Sequence, residues 1–280
     1  MKKTGKWRLS GRTFVVLLLT ALLIVGCVTN PLTGKRTMAF YGNSELFPMS
    51  FAYYDEFLTE NKVVTGTAQA AMVDRVGKRL AVAAQKWCEA NGSPHYLDDY
   101  AWEYKLVQDD QVNAFCLPGG KIVVYTGILP VTKDEAGLAV VLGHEISHAL
   151  LNHGQQSMSY DLASQLGMLG VLMGAQAIGL SENAQMAALV VYQLANQFGG
   201  ELPFSRKNES EADEYGLYLM AIAGYNPDAA APFWERMKAA GAGSNAEFFS
   251  THPSPDNRIK NLQNLNAEAK KKAAEFGVRF

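Results

Sequence analysis

The 280-residue chain has little net charge, and what it has is unevenly placed. Twenty-five Lys and Arg stand against 27 Asp and Glu, but five of the cations (Lys2, Lys3, Lys6, Arg8 and Arg12) fall within residues 1–26, which hold no acid. The other 20 cations leave the rest of the chain near −7, without the basic patch that nucleic-acid binding needs. Nucleic acid is thereby excluded as a partner. A repeat of solenoid period is also missing, so one domain is the simplest organisation. Charged residues make up only 19% of the chain and hydrophobic ones 48%, which excludes a disordered polypeptide. No apolar run is long enough for a comfortable membrane span. The run Phe14 to Val25 is uncharged but short, and the uncharged stretch 162–180 is diluted by Ser164, Gln165, Gln176 and several glycines.

What the N-terminus does contain is a basic stretch, then that short apolar run, then Ile24-Val25-Gly26-Cys27. The order fits a secretory signal peptide, and the last four residues resemble the lipobox of bacterial lipoproteins. The resemblance implies cleavage after Gly26 and lipidation of Cys27, with several acyl chains giving firm anchoring where one alone is marginal. Val28 occupies the position where an inner-membrane retention signal has Asp, which favours the outer membrane. The alternative is an uncleaved N-terminal anchor with an incidental cysteine. The expected organisation is a lipoprotein signal peptide over 1–26, a lipidated tether over 27–43 rich in turn formers, and one domain over 44–280. Cysteine is scarce, three residues in all. In an exported chain Cys88 and Cys116 read either as a disulfide pair or as two buried thiols.

Along the domain, Asn43-Ser44 offers a helix cap before Glu45. Val73, Val76, Leu80, Ala84 and Trp87 recur at steps of three and four and predict a helix over 67–90, ended by Asn91-Gly92. From Trp102 the period becomes two, predicting a strand, with further short strands at 112–116 and 121–126. Thr132 and Glu135 read as a capping box that opens a helix to about His153, with Gly154 as its stop. Residues 158–200 are rich in Ala, Gly, Leu and Met, and the uncharged stretch 162–180 within them reads as part of a helical hairpin packed on the domain, acting as a lid, or else as inserted in a membrane. Helices are also predicted over 208–223, near 228–240, and from Ser254-Pro255 into the C-terminal region.

The helix opened near Thr132 carries His144-Glu145-Ile146-Ser147-His148. Four residues is just over one turn, so both imidazoles leave one face and their nitrogens can bind one Zn²⁺ at about 2.0–2.1 Å. Glu145 stands where it can take a proton from a water that the metal acidifies. A surface helix with incidental histidines is a poor alternative, because Leu138, Val141, Leu142 and Ile146 make this helix apolar. Later, Glu209 and Asp213 are four apart on one face while Glu211 points away. They read as a third ligand plus a carboxylate that holds a ligand imidazole, or as acids favoured in a first helical turn. His153, five residues past His148, reads as a helix C-terminal histidine and not a ligand. His95, in a turn, has no visible role.

The series of motifs resembles the HtpX and CAAX-prenyl-protease type of gluzincin zinc metallopeptidase. It comprises His-Glu-x-x-His, then Leu202-Pro203-Phe204-Ser205-Arg206 before Glu209 and Asp213, Asn113-Ala114-Phe115 through Gly119-Gly120 upstream, and Thr251-His252-Pro253 with Arg258 downstream. Asn30-Pro31-Leu32-Thr33-Gly34-Lys35-Arg36 further resembles the periplasmic BepA-like lipoprotein branch. The resemblance implies an α+β fold, mostly helical and zincin-type, with a small β-sheet beside the zinc-binding helix. It implies one Zn²⁺ on His144, His148 and Glu209, general base Glu145, and Asp213 behind a ligand. His252 and Arg258 are then expected near the substrate carbonyl, with His252 able instead to cap the zinc at rest. The implied partners are protein or peptide substrates, misfolded or misassembled envelope proteins among them, and the outer-membrane assembly machinery. A non-catalytic, zinc-stabilised periplasmic chaperone or assembly factor is the rival reading. Glu145 argues against it, since a structural metal site has no need of a base.

Overall fold

A computed structural model of the chain describes residues 27–197, 201–241, 248, 252 and 257–280, without the side chains of 202–204 and 241. The expected signal peptide, the Ser254-Pro255 cap, Thr251 and Pro253 lie outside the described residues. Two short antiparallel strands come first, β1 (Cys27–Thr29) and β2 (Arg36–Met38). The stretch read as a tether is therefore ordered, and it is packed on the domain, with Asn30 and Leu32 buried. Helix α1 (Asn43–Glu60) follows, starting from Gly42 and not from Asn43-Ser44. The Glu45 carboxylate accepts from the Gly42 amide at 3.2 Å. Helix α2 (Ala68–Ala90) begins as the period predicts, with the Thr67 hydroxyl accepting from Ala70 N, and all five of its predicted core residues are buried.

Strands β3 (Val63–Val64), β4 (Glu103–Val107), β5 (Ala114–Leu117) and β6 (Lys121–Tyr125) form one sheet in the order β3-β4-β6-β5. Within this sheet β5 and β6 make a hairpin, whereas β4 pairs with β6 in parallel. Strand β6 takes an inner place, with Ile122, Val123 and Val124 all apolar and all buried, a pattern suited to a strand covered on both faces. At the β5–β6 turn Gly119 and Gly120 hold φ of 85° and 91°, which favours glycine. Strand β5 is left at the sheet edge, beside the helix that carries the His-Glu-x-x-His motif.

That helix, α4 (Glu135–Leu150), follows a short helix α3 (Leu129–Thr132). Its cap is Asp134, whose carboxylate accepts from Gly137 N at 2.9 Å. Thr132 belongs to the preceding turn, where its hydroxyl donates to Leu129 O, and Lys133 at φ 67° separates the two helices. At the other end α4 stops at Leu150. Asn152 turns left-handed (φ 58°), and His153 opens a new helix, α5 (His153–Ala177), so Gly154 is no stop. Helices α5 and α6 (Glu182–Asn196) form the predicted hairpin, closed by Asn196 Nδ2 donating to Ser164 Oγ at 2.9 Å. No helix among the described residues is long and apolar enough to cross a membrane.

Helices α7 (Leu202–Ile222), α8 (Ala230–Gly241) and α9 (Arg258–Glu275) complete the domain. The fold is α+β and mostly helical, as expected. The main core joins α2, α4, α7 and α9 to one face of the sheet, with Trp87 stacked on Tyr215 at 5.3 Å. Cys88 and Cys116 are thiols, and burial pushes both of them up, Cys88 to about 12.

Candidate metal centre

Helices α4 and α7 make the most extensive helix–helix contact among the described elements. Their backbones cross at Gly143 and Gly216, where a Cβ on either residue would lie 2.8 Å from a backbone atom of the other helix. This close approach brings Glu209 and Asp213, near the start of α7, against the imidazoles of α4. Asp213 Oδ1 lies 3.0 Å from His144 Nδ1, so the proton of that ring sits on Nδ1 and its Nε2 keeps a free lone pair.

The two Nε2 atoms of His144 and His148 are 3.1 Å apart. Glu209 lies 3.4 Å from the first and 3.3 Å from the second, and His252 Nδ1 is 3.0 Å from Glu209 and 3.4 Å from His144 Nε2. Donors about 2.0–2.1 Å from a tetrahedral Zn²⁺ lie about 3.3 Å from one another. The observed spacings are those of such a set, with the two imidazole Nε2 atoms converging at 3.1 Å. The four residues fit one metal ion. Charge points the same way, since Glu145, Glu209 and Asp213 are buried carboxylates facing one buried guanidinium, Arg258.

Glu145 lies beside this set with its Oε1 unpartnered and 3.5 Å from His252 Nε2. Burial pushes its carboxyl above the usual range, opposed by the nearby imidazoles and by the Cys116 backbone amide of β5. Burial likewise drives His148 well below the ordinary imidazole value. For His144 burial acts downward too, but the Asp213 and Glu209 carboxylates overcome it and raise the ring to about 9. A cleft of about 290 Å³ opens here, lined by Phe115, Cys116, Pro118, Glu145, His148 and His252 among others.

The structure thus brings together His144, Glu145, His148, Glu209, Asp213 and His252. Arg258 joins them from behind and is only 2% exposed. It donates through Nε to Asp213 and through a terminal nitrogen to Glu209, both at 2.7 Å, and stacks over Trp234 at 4.1 Å. Two buried carboxylates hold its guanidinium behind the donor set. His95 is exposed and pairs only with Asp98. Sequence reasoning missed His153, which opens α5 and sets its Nδ1 3.0 Å from His148 Nδ1. The left-handed Asn152 was the signal, being an Asn next to a suspected helix end. Glu211 points away from the converging donor set, toward Lys35 and His153.

Comparison with known proteins bears on this geometry. The model of Peptidase family M48 matches residues 67–266. The chain is 39% identical over 178 residues to the mitochondrial metalloendopeptidase OMA1 of Schizosaccharomyces pombe, covering 63% of this chain and 50% of that protein. It is 29% identical over 283 residues to the mitochondrial metalloendopeptidase OMA1 of Homo sapiens, covering 96% and 52%. The beta-barrel assembly-enhancing protease of Escherichia coli (strain K12) is 32% identical over 169 residues, covering 58% and 34%. The matches span about half, or less, of the length of these relatives.

Proposed function

The chain belongs to peptidase family M48, and on that premise we propose that it is a zinc-dependent endopeptidase acting on misfolded or misassembled proteins of a bacterial envelope. One observation carries the reading: four ligand-type side chains converge on a point beside Glu145, whose buried Oε1 has no hydrogen-bond partner. Zinc held by His144, His148 and Glu209 would acidify a water and polarise the scissile carbonyl. Glu145 accepts the proton of the attacking water and returns it to the leaving amine. Arg258 holds the Glu209 carboxylate toward the metal side and Asp213 toward His144. Substrate lies along the outer edge of β5 as an added strand, where main-chain hydrogen bonds bind many sequences alike. The α5–α6 hairpin closes over the cleft as a lid, with Ser157 of α5 at the rim.

His252 supplies a fourth donor, and a catalytic zinc site needs that position open. We read His252 as a resting cap. Metal analysis should find one zinc in the wild-type chain and loss of it in Glu209→Gln, with casein cleavage lost on chelation. A wild-type chain that binds no zinc overturns the proposal. At full zinc occupancy, His252→Ala should cut an unstructured peptide faster. A fall of roughly 10²–10³-fold, the scale of losing one oxyanion donor, would assign that role instead.

The envelope substrates and an outer-membrane address rest on the lipobox-like Gly26-Cys27 and on the likeness to the beta-barrel assembly-enhancing protease. Cys27 then carries the lipid, outer-membrane assembly machinery is a partner, and residues 1–26 are removed. Metabolic labelling with a radioactive fatty acid should mark the wild-type protein, while Cys27→Ser should stay unlabelled and unprocessed. Equal labelling of the two ends the lipoprotein reading.

A further inference from the structure

His153 is a polar residue with 2% exposure that the metal-binding set does not require. Its two ring nitrogens lie between unlike neighbours. Nδ1 is 3.0 Å from Nδ1 of His148, and Nε2 faces Glu211 Oε2 at 3.5 Å. The other oxygen of Glu211 is 2.5 Å from the Lys35 ammonium. Lys35 belongs to the N-terminal turn, which Asn30 holds in place. The Asn30 side-chain oxygen accepts from the Leu32 and Thr33 amides at 3.0 and 3.3 Å. The Asn30 amide nitrogen donates at 2.7 Å to the Leu150 carbonyl, an end-of-helix acceptor of α4 that has no partner within the helix.

The proton positions along this line are determined by chemistry. His148 directs Nε2 into the converging donor set, and a metal held there takes its lone pair, so a neutral ring carries its proton on Nδ1. Two Nδ1 atoms at 3.0 Å share one proton, so His153 accepts at Nδ1 and carries its own proton on Nε2, the atom that faces Glu211. The other imidazole of the centre has the same support. His144 meets Asp213, and Asp213 meets Arg258. Each ligand ring therefore leads to a carboxylate, and each carboxylate to a cation.

We propose that His153, Glu211 and Lys35 are positioning residues for His148, fixing its tautomer and ring orientation for metal binding, and that the N-terminal turn 30–35 is a working part of the metal centre. The inference rests on the zinc-peptidase reading above. Partners of this kind around a metal-bound His are worth about 10–100-fold in metal affinity.

The test is chelator-competition measurement of zinc affinity on the full chain, with thermal melting of the metal-free protein in parallel. Glu211→Gln keeps the size of the side chain and removes its charge. It should weaken zinc binding by about 10–100-fold, leave one zinc per chain at saturation, and leave the metal-free melting point unchanged. His153→Phe should do the same if it folds. Lys35→Met should cost roughly two- to fivefold, the scale of a partly exposed ion pair, and Lys35→Arg should recover it. Wild-type affinity in Glu211→Gln overturns the proposal. So does an affinity loss matched by a lower melting point of the metal-free protein, since that marks a merely structural contact. If the wild-type chain takes up no zinc, the zinc-peptidase reading itself has failed; if only Glu209→Gln loses it, the relay alone has.

Discussion

Glu145→Gln should retain one zinc per chain and lose cleavage of unfolded protein by roughly 10²–10⁴-fold or more, the range that a positioned acid–base group contributes. Glu145 is not among the converging donors, so the metal count has no reason to change. The amide matches the carboxylate in size and leaves no cavity. It also removes a buried charge whose Oε1 has no hydrogen-bond partner, so the variant should melt no lower than wild type. Stability, metal and fold are thus separated from proton transfer in one substitution. Wild-type cleavage by this variant, with wild-type protein active in the same assay, would show that a different group takes the proton. The same assay separates the peptidase from a zinc-stabilised chaperone, for which the loss of Glu145 changes nothing.

Much of this centre is legible in the sequence because its spacings are helical. His144 and His148 share a face at four residues, as do Glu209 and Asp213, and each pair lies on one unbroken helix. Period two likewise marks β4, and period 3.6 marks α2. The misreadings lie where a helix breaks. On a continuous helix a residue five past His148 points about 140° away, which is why His153 reads as irrelevant. In the structure Asn152 reverses the chain and His153 returns to His148. The docking of the 30–35 turn is invisible for a similar reason. Asn, Pro, Thr and Gly do make a turn at 30–34, but turn chemistry says nothing about what the turn docks on, and here Asn30 reaches the end of α4, 120 residues away. Parallel pairing of β4 with β6 is equally silent in a local pattern, since it depends on which strand has two apolar faces.

Gly216→Ala should cost the protein its metal centre although residue 216 supplies no metal-binding atom. Glycine in the middle of a helix is less favourable than alanine by about 1 kcal/mol, so Gly143 and Gly216 need a reason to be there. The reason is distance. A Cβ at 216 would lie 2.8 Å from His144 N and 2.9 Å from Gly143 C, against 3.4 Å for the closest ordinary contact. The obstacle is backbone, which has no rotamer to change, so α4 and α7 must separate by about 0.6 Å. Metal–donor distances tolerate about 0.2 Å, and Glu209 rides on α7 while His144 and His148 ride on α4. Overpacking of this kind also lowers stability by about 1–3 kcal/mol. The expected result is a lower melting point and a loss of at least about tenfold in zinc affinity. Gly170→Ala is the control: it lies within α5, an added Cβ there meets nothing within 4 Å, and its zinc affinity should equal that of wild type. Should Gly216→Ala bind zinc and melt as the wild type does, the two helices have slack at their crossing, and the position of Glu209 must be set by something other than their backbone contact.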